Sequence, residues 1–228
     1  MVDEKIRIFA LGDTALTVEF GNVISTTINK KAIVLANHIE NERFPGFVES
    51  VPAYASTTIF YDPFTVKRNF PEFTTAFDAV KTLAEQALKT LTDSSDATPR
   101  LVEIPVNFDD EAALDLDFVA EHGGISANEV IDIFTSKTYR VFMLGFLPGF
   151  TYMGEVDERI ATPRKETPRT LLPKGSVGIA GRQTGIYSLA SPGGWQIIGR
   201  TDLEIFTPYA EPPSFLQPGD EVRFIPVK

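Results

Sequence analysis

The sequence predicts an α+β protein of two domains: an α/β sandwich of ferredoxin-like type over residues 1–95, then a closed or nearly closed β-barrel over residues 96–228. Three observations predict this organisation. Residues 91–100 read LTDSSDATPR, a polar, turn-forming stretch typical of an interdomain linker. Strand and helix patterns alternate before this stretch. After it, short apolar segments separated by Gly and Pro indicate a barrel.

The first domain is expected to contain one antiparallel sheet covered by two helices. Four segments alternate or run apolar and are predicted as strands, at residues 6–11, 15–20, 47–51 and 57–61. Two segments repeat apolar side chains at three- and four-residue spacing and are predicted as helices, at residues 25–43 and 71–91. Two helices packed on one such sheet form a ferredoxin-like sandwich.

The second domain is expected to begin with a strand at residues 101–108, followed by helical turns at 115–122. Ser126 and Glu129 have the spacing of a capping box and predict a helix that runs to about residue 136. From residue 139 onward no further long helix is expected. Six short segments are predicted as strands: RVFML, SVGIAG, GIYSLA, WQIIGRT, LEIF and EVRFIPV.

Composition and charge exclude several classes of function. The chain has no cysteine, which excludes disulfides, thiolate metal sites and cysteine nucleophiles. Its formal net charge of -10 repels phosphate backbones, and without a strong basic patch we expect no nucleic-acid binding. No apolar run approaches the roughly 20 residues that span a bilayer. The first residues are acidic where a signal peptide needs basic ones, so we expect a cytoplasmic protein with no membrane segment.

Motifs for common cofactors are also missing from the sequence. No G-x-x-x-x-G-K-[ST] phosphate loop occurs, and the glycines at 175–185 do not open a helix as a dinucleotide site requires. The chain has only two histidines, His38 and His122, so few side chains are present that could form a histidine metal site or a Ser-His-Asp triad. Acidic residues could bind Mg²⁺, but no spacing singles out a pair. The residues therefore predict no metal site.

Four stretches resemble one known family. They are LGDTALTVEFG at 11–21, VPAYASTTIFYDP at 51–63, MLGFLPGFTYMG at 143–154 and ATPRKETPRTLLPKGSVGIAGRQTGIYSLASPGGWQIIGRT at 161–201. The chain resembles the family of the B-type subunit of 5-oxoprolinase, which is also known as allophanate hydrolase subunit 1, the KipI-type kinase inhibitors or the carboxyltransferase-domain family. The resemblance covers nearly the whole chain.

The resemblance implies a fold and a set of partners. It implies that the barrel is cyclophilin-like, although a fold does not carry an activity with it. It implies that the chain is one subunit of an ATP-dependent assembly that opens 5-oxoproline to L-glutamate, and that the chain alone is inactive or nearly so. The implied cofactor is ATP, and Mg²⁺ is a candidate second cofactor. The implied partners are a second carboxyltransferase-type subunit, like the C-type subunit of 5-oxoprolinase, and a larger A-type subunit. Two alternatives stay open: an inhibitor that binds a sensor histidine kinase, and one subunit of an allophanate- or urea-type hydrolase.

The stretch GFLPGF at 145–150 follows a predicted strand. Two glycines and a proline fix an irregular backbone there, where free amides can face a ligand. The candidate substrate-binding residues are Gly145, Phe146, Pro148, Gly149 and Phe150. The alternative is a hydrophobic corner in which Phe146 and Phe150 close the end of the barrel.

A five-residue repeat places Thr-Pro before each of two arginines, Arg164 and Arg169. Proline stiffens the segment, and a planar guanidinium matches a carboxylate or phosphate with two hydrogen bonds. We therefore expect a local anion site, with Arg169 as a catalytic donor to developing negative charge and Arg164 as a substrate-binding residue. The alternative is a pair of solvated arginines bound to Glu166 or Asp157.

Polar side chains near the next turn could hydrogen-bond an amide substrate. Gln183 is a second candidate catalytic donor, and Thr184 and Tyr187 are candidate substrate-binding residues.

The last candidate segment is SPGGW at 191–195, which holds the single tryptophan of the chain. Gly193 and Gly194 remove side chains where the backbone would approach a ligand, and Ser191 supplies a hydroxyl. A tryptophan at a strand start is usually a core residue. We expect the Trp195 ring to pack in the core of the barrel rim while the turn before it borders a pocket.

Overall fold

The structure is a computed structural model that describes residues 6–90 and 98–227. The chain divides into two compact units, residues 1–98 and 99–228. The predicted domain boundary at residues 95 and 96 lies outside the described residues, as does most of the predicted linker.

The first unit contains one antiparallel sheet and three helices. In chain order its elements are β1 (Arg7–Ala10), β2 (Ala15–Glu19), α1 (Thr26–Asn41), β3 (Phe47–Pro52), β4 (Ser56–Tyr61), α2 (Pro63–Asn69) and α3 (Ala76–Thr90). The strand order is β1-β2-β4-β3. Because β2 and β3 both pair antiparallel with β4, α1 connects two parallel strands, as in a ferredoxin-like sheet. β1 occupies the remaining edge position beside β2.

The core of the first unit follows from the periodicity of its helices. Leu35 and Ile39 of α1 and Val80 of α3 pack with Leu16 and Ile59, which belong to the central strands β2 and β4. All five side chains are buried. The apolar stripe of each helix therefore covers one face of the sheet, as the spacing predicts.

The prediction of a single helix over residues 71–91 was wrong in its extent. Within that segment the helix α3 begins only at Ala76, and a separate helix, α2, lies before the segment. A signal for α2 is present in the sequence: the Asp62 carboxylate accepts a hydrogen bond from the Thr65 amide, and Pro63 takes the first helical position.

The second unit contains nine strands, two α-helices and a short 3₁₀ helix in its described residues. They are β5 (Leu101–Asn107), α4 (Leu116–Gly123), α5 (Ala127–Thr135), β6 (Thr138–Leu144), β7 (Thr151–Gly154), the 3₁₀ turn (Glu158–Ile160), β8 (Arg169–Leu172), β9 (Ser176–Ala180), β10 (Gln183–Ile186), β11 (Ser191–Gly193), β12 (Gln196–Arg200) and β13 (Glu221–Val227). The predicted capping box of Ser126 and Glu129 is confirmed at the start of α5.

Seven of these strands close into a barrel in the order β10-β7-β6-β13-β5-β12-β9, and β9 pairs with β10 to complete it. β8 and β11 form a separate two-stranded sheet. Phe134 of α5 stacks on Phe224 of β13 with ring centroids 4.8 Å apart, which fastens the helix to the barrel core. The predicted fold class is confirmed: an α+β protein with a ferredoxin-like sheet and a cyclophilin-like barrel.

Two strand predictions in the second unit were wrong in detail. LEIF, residues 203–206, is not a strand, and only a single bridge joins Phe206 to Ser214. GIYSLA is a strand only as far as Ile186, where β10 ends. Alternating apolar residues can occupy an irregular buried segment as well as a strand, and Ile205 is buried in the barrel core.

Candidate functional site

A cleft of about 430 Å³ opens in the second unit, beside the two-stranded sheet. Three connecting segments meet there: residues 145–150 between β6 and β7, residues 161–168 before β8, and the glycine turn between β11 and β12. The lining residues are Phe146, Leu147, Phe150, Tyr152, Arg164, Lys165, Pro168, Tyr187, Ser191, Pro192, Gly193, Gly194 and Trp195. A concave, mostly apolar site with several aromatic side chains and a few polar groups suits a small molecule.

The floor of the cleft is an edge-to-face aromatic cluster. The centroid of the Phe150 ring lies 5.5 Å from that of Trp195 and 5.0 Å from that of Tyr187, and the Phe150 ring is nearly perpendicular to both. Tyr152 packs against Phe150 and Trp195 from the side. The Phe150, Tyr187 and Trp195 side chains are all at least 95% buried, so the floor is rigid.

Gly185 makes room for this cluster from the adjacent strand. A Cβ atom there would lie 3.1 Å from the Phe150 ring and 3.2 Å from Trp195 Cζ3, and it would collide with the Thr151 carbonyl oxygen. The sequence thus places a glycine where two aromatic rings approach the backbone of β10.

The rim of the cleft holds an unusual backbone conformation. Phe146 has φ of 65° and is 62% exposed. A bulky residue in the left-handed region is strained, and such strain persists only where the surrounding structure imposes it. Hydrogen bonds from Leu147 N to Gly145 O and from Phe150 N to Leu147 O hold the turn, and Gly149 follows with φ of 75°. The turn thereby presents an aromatic ring at the mouth of the cleft.

The glycine turn forms the opposite wall. A Cβ atom on Gly193 would lie 2.6 Å from Leu172 Cδ1 and would also collide with the Tyr187 hydroxyl, so only glycine fits. The Gly194 carbonyl accepts a hydrogen bond of 2.7 Å from the Lys165 amide, which joins this wall to the arginine-bearing segment. The expectation for Trp195 is met in the structure: its ring is buried and the turn before it borders the cleft.

Arg164 provides a positive charge at the cleft. Its guanidinium carbon lies 5.8 Å from the centre of the Trp195 ring, within the range of a cation–π contact. The side chain is exposed, and no other described residue forms a hydrogen bond or an ion pair with it.

Asp115 binds the two neighbouring cations instead. Its carboxylate accepts two hydrogen bonds from the Arg169 guanidinium, of 2.7 and 2.8 Å, and one of 2.9 Å from Lys165 Nζ. The Ile197 amide donates a fourth hydrogen bond of 2.7 Å, and the Asp115 amide donates to the Ile197 carbonyl. Only 4% of the Asp115 side chain is exposed. This Asp115 cluster ties the start of α4 to the segment 165–169 and to β12.

Burial by itself raises the pKa of Asp115, because it disfavours the charged form. Hydrogen bonds from Arg169, the Ile197 amide and Lys165 outweigh that effect, and the pKa lies below its usual range. Asp115 is therefore an ionised carboxylate whose charge is satisfied within the protein.

Comparison with known proteins identifies the family. The sequence profile of the carboxyltransferase domain, subdomain C and D, matches residues 6–216. The chain belongs to the carboxyltransferase-domain family.

Relatives in this family match the chain along its length. It is 44% identical to the B-type subunit of 5-oxoprolinase from Bacillus subtilis (strain 168), covering 97% of this chain and 92% of the relative. It is 39% identical to the B-type subunit of 5-oxoprolinase from Escherichia coli O157:H7, covering 99% and 98%. Among solved structures it is similar to TTHA0988, with a TM-score of 0.80 at 34% identity, covering 98% of this chain and 40% of that one.

Eight of the predicted site residues meet at the cleft of this carboxyltransferase-type domain. They are Phe146, Phe150, Arg164, Tyr187, Ser191, Gly193, Gly194 and Trp195. Gly145, Pro148 and Gly149 shape the turn at its rim without lining it, and the Pro148 carbonyl accepts a hydrogen bond of 2.6 Å from Ser188.

The three remaining predicted residues, Arg169, Thr184 and Gln183, neither line the cleft nor belong to the turn at its rim. Arg169 is bound to Asp115 and not to Glu166 or Asp157, the partners of the alternative interpretation. The Thr184 hydroxyl is buried and donates to the Gly178 carbonyl. Gln183 starts β10, where it pairs with Gly154 of β7 and Ala180 of β9. Their roles in catalysis or binding remain predictions.

Sequence reasoning missed Asp115 and Tyr152. Tyr152 lies two residues beyond Phe150 on a strand, so the two-residue period offers a signal for it. Asp115 stands at the N-terminus of α4, where an acidic residue ordinarily serves as a helix cap. Nothing local connects it with Arg169, which lies 54 residues further along the chain.

Two features are absent from the described ranges, residues 6–90 and 98–227. No group of three or more His, Cys, Asp or Glu side chains in these ranges is arranged to hold a metal ion. No helix within them has the length and apolar character needed to cross a membrane.

Proposed function

We propose that this chain is the B-type subunit of an ATP-dependent 5-oxoprolinase, an assembly that opens the lactam of 5-oxoproline to L-glutamate. The observation that carries the proposal is the match to the B-type subunits of two bacterial 5-oxoprolinases. These matches span at least 92% of both sequences at 39–44% identity, so they include both units and the cleft.

The chemistry of the cleft is consistent with substrate binding. In a reaction of this class the terminal phosphoryl group of ATP passes to the lactam oxygen with release of ADP, and water attacks the ring carbon so that the C–N bond breaks. A second water then hydrolyses the resulting acyl phosphate to glutamate and inorganic phosphate. Such a reaction needs a site that holds a small cyclic amide away from bulk water. The rigid aromatic floor and the hydroxyl groups of Tyr187 and Ser191 supply walls and hydrogen-bonding groups for that purpose.

The residues of the cleft do not fit a nucleoside triphosphate. Only two cations line it, and one of them, Lys165, is bound to Asp115. A triphosphate is ordinarily held by a glycine-rich loop at a helix N-terminus together with a lysine, and the sequence contains no such loop. We therefore place the ATP site of the complex on a partner protein.

The proposed partners are a second carboxyltransferase-type subunit and a larger A-type subunit. Support comes from the length of TTHA0988, of which this chain matches only 40%. A unit of this kind thus occurs joined to further polypeptide. We propose separate subunits for this chain because two relatives that it covers almost completely are themselves named as the B subunits of 5-oxoprolinases.

The test is reconstitution with ATP and 5-oxoproline, measured as release of glutamate. We expect no turnover from the purified chain, because the sequence has no phosphate loop and the described residues have no metal cluster. We expect turnover when it is co-expressed with both partners from the same genome, and loss of turnover when this chain alone is omitted.

Two results would contradict the proposal. One is sustained release of glutamate by the isolated chain, free of partner subunits. The other is a reconstituted complex that cleaves allophanate but not 5-oxoproline. Stable capture of a sensor histidine kinase, with no complex formed with the two subunits, would instead support an inhibitor.

A further inference from the structure

The cleft is positively charged within an acidic protein. Of its thirteen lining residues, two are cations, Arg164 and Lys165, and none is Asp or Glu. The whole chain carries a formal charge of -10. A concave site with this local excess of positive charge attracts an anion.

Arg164 is the cation available to a ligand. Lys165 and Arg169 both donate to the buried Asp115 carboxylate, which binds their N–H groups and offsets one of their two positive charges. Arg164 makes no such bond to any described residue, and its guanidinium lies against the face of Trp195. The contact orients the planar group at the cleft while its N–H donors remain free.

The segment that bears Arg164 is held from both sides. The next residue, Lys165, donates its amide to the Gly194 carbonyl and its ammonium to Asp115. The Gln196 side-chain amide donates to the Pro163 carbonyl at 3.0 Å. Because the segment is anchored in this way, it would lose little conformational entropy when Arg164 binds a ligand.

The walls and the volume restrict the ligand further. Aromatic side chains form the floor beside Arg164, and the cleft measures about 430 Å³, enough for one small molecule. One free guanidinium balances a single negative charge. These features favour a ligand with one carboxylate and a small, flat body.

We propose that the cleft binds a small carboxylate with a flat ring, with its carboxylate on the Arg164 guanidinium and its ring against Trp195, Phe150 and Tyr187. That this ligand is 5-oxoproline rests on the proposed function. The class of ligand rests on the charge and shape of the cleft alone.

The single tryptophan of the chain makes the test specific, because Trp195 is the only indole and it lines the cleft. Its fluorescence in the purified full-length chain is followed during titration with 5-oxoproline, with 2-pyrrolidinone, which is the same ring without the carboxylate, and with inorganic phosphate. We expect a saturable change with 5-oxoproline, binding of 2-pyrrolidinone weaker by about tenfold or more, and no saturable change with phosphate.

Arg164 variants assign the effect to the proposed group. Arg164→Gln should raise the Kd for 5-oxoproline by about 10- to 100-fold, and Arg164→Lys should recover only part of that loss because a point charge cannot form the two-bond contact. Arg182→Gln is the matched control: Arg182 is exposed, pairs with Glu155 and Glu158, and does not line the cleft. It should bind like the wild type. Thermal melting of all three variants checks that each is folded.

Several outcomes would overturn the inference. They are equal affinity for 5-oxoproline and 2-pyrrolidinone, saturable binding of phosphate in competition with 5-oxoproline, unchanged binding in folded Arg164→Gln, and no fluorescence change with any probe.

The reconstituted complex separates this inference from the proposed function. If the complex releases glutamate and Arg164→Gln leaves its KM unchanged, the inference fails and the proposed function stands. If the complex releases no glutamate while the free chain binds the carboxylate through Arg164, the proposed function fails and the inference stands.

Discussion

Replacing Asp115 by alanine is expected to lower the free energy of unfolding of the second unit by about 2–4 kcal/mol. The substitution leaves the Ile197 amide without its side-chain acceptor and removes the shared partner of Arg169 and Lys165. Because these two cations are about a quarter exposed, water recovers part of their solvation and the loss stays below that of a fully buried pair. Urea unfolding of the full chain measures the change.

A double-mutant cycle with Arg169→Ala tests whether the two residues act as a pair. Arg169→Ala alone leaves the buried carboxylate with Lys165 and the Ile197 amide, so a loss of about 1–3 kcal/mol is expected. The two substitutions together should cost less than the sum of the single losses, since they remove one interaction. Asp110→Ala, at an exposed carboxylate nearby, is the control and should change stability little.

If Arg169 acts in catalysis, as the sequence predicts, Arg169→Ala should behave differently in the unfolding experiment. If Arg169→Ala unfolds like the wild type while turnover of the reconstituted complex falls by about 100-fold, the residue acts on the substrate and the Asp115 cluster is not its main role. Loss of stability with turnover retained at low temperature would show that the main role of Arg169 is to bind Asp115.

The pH dependence of stability follows from the lowered pKa of Asp115. The pKa of Asp115 is lower in the folded state than in the unfolded state, where it is about 3.9. The ionised carboxylate therefore stabilises the fold at pH values above the unfolded pKa, and this contribution is lost as the pH falls through the folded pKa. The difference in stability between wild type and Asp115→Asn should therefore be full at neutral pH and shrink below about pH 4. Urea unfolding at a series of pH values measures it, and a constant difference down to the lowest pH would contradict the assignment.

Replacing Gly193 by alanine should lower stability by about 1–3 kcal/mol and weaken ligand binding at the cleft by about tenfold or more. The new methyl group would lie 2.6 Å from Leu172 Cδ1 and 2.8 Å from Tyr187 Cε1. Both side chains are almost completely buried, so neither can move aside without disturbing the aromatic floor.

Gly194→Ala is the matched control for this substitution. Its methyl group would meet only Pro168, at 3.4 and 3.6 Å, and the Lys165 carbonyl oxygen at 3.8 Å, which are ordinary contacts. Neither glycine has a positive φ, so the comparison isolates the steric effect from backbone strain. Urea unfolding and Trp195 fluorescence of the two variants should differ clearly. Equal stability and equal binding would show that the Gly193 wall is not close-packed.

The sequence by itself determined the elements whose signals are local. In β2 and β4 apolar residues alternate, and in α1 they recur at helical spacing. Both patterns can be read from the local sequence, because the direction of each side chain depends on local backbone geometry. The capping box of Ser126 and Glu129 is local in the same sense. The irregular turns at the cleft could likewise be predicted, since glycine and proline restrict or release the backbone where they stand.

Tertiary structure alone decided which positive charge the cleft presents. Arg164 and Arg169 are equivalent in sequence, since each follows Thr-Pro. The fold brings Asp115, 54 residues away from Arg169, against one of them and leaves the other over Trp195. Which charges meet depends on how α4 packs on β12, and that long-range contact leaves no pattern in the residues around either arginine. For this reason the sequence predicts an anion site on this segment but does not tell which of the two arginines lies at the cleft unpaired with any described residue.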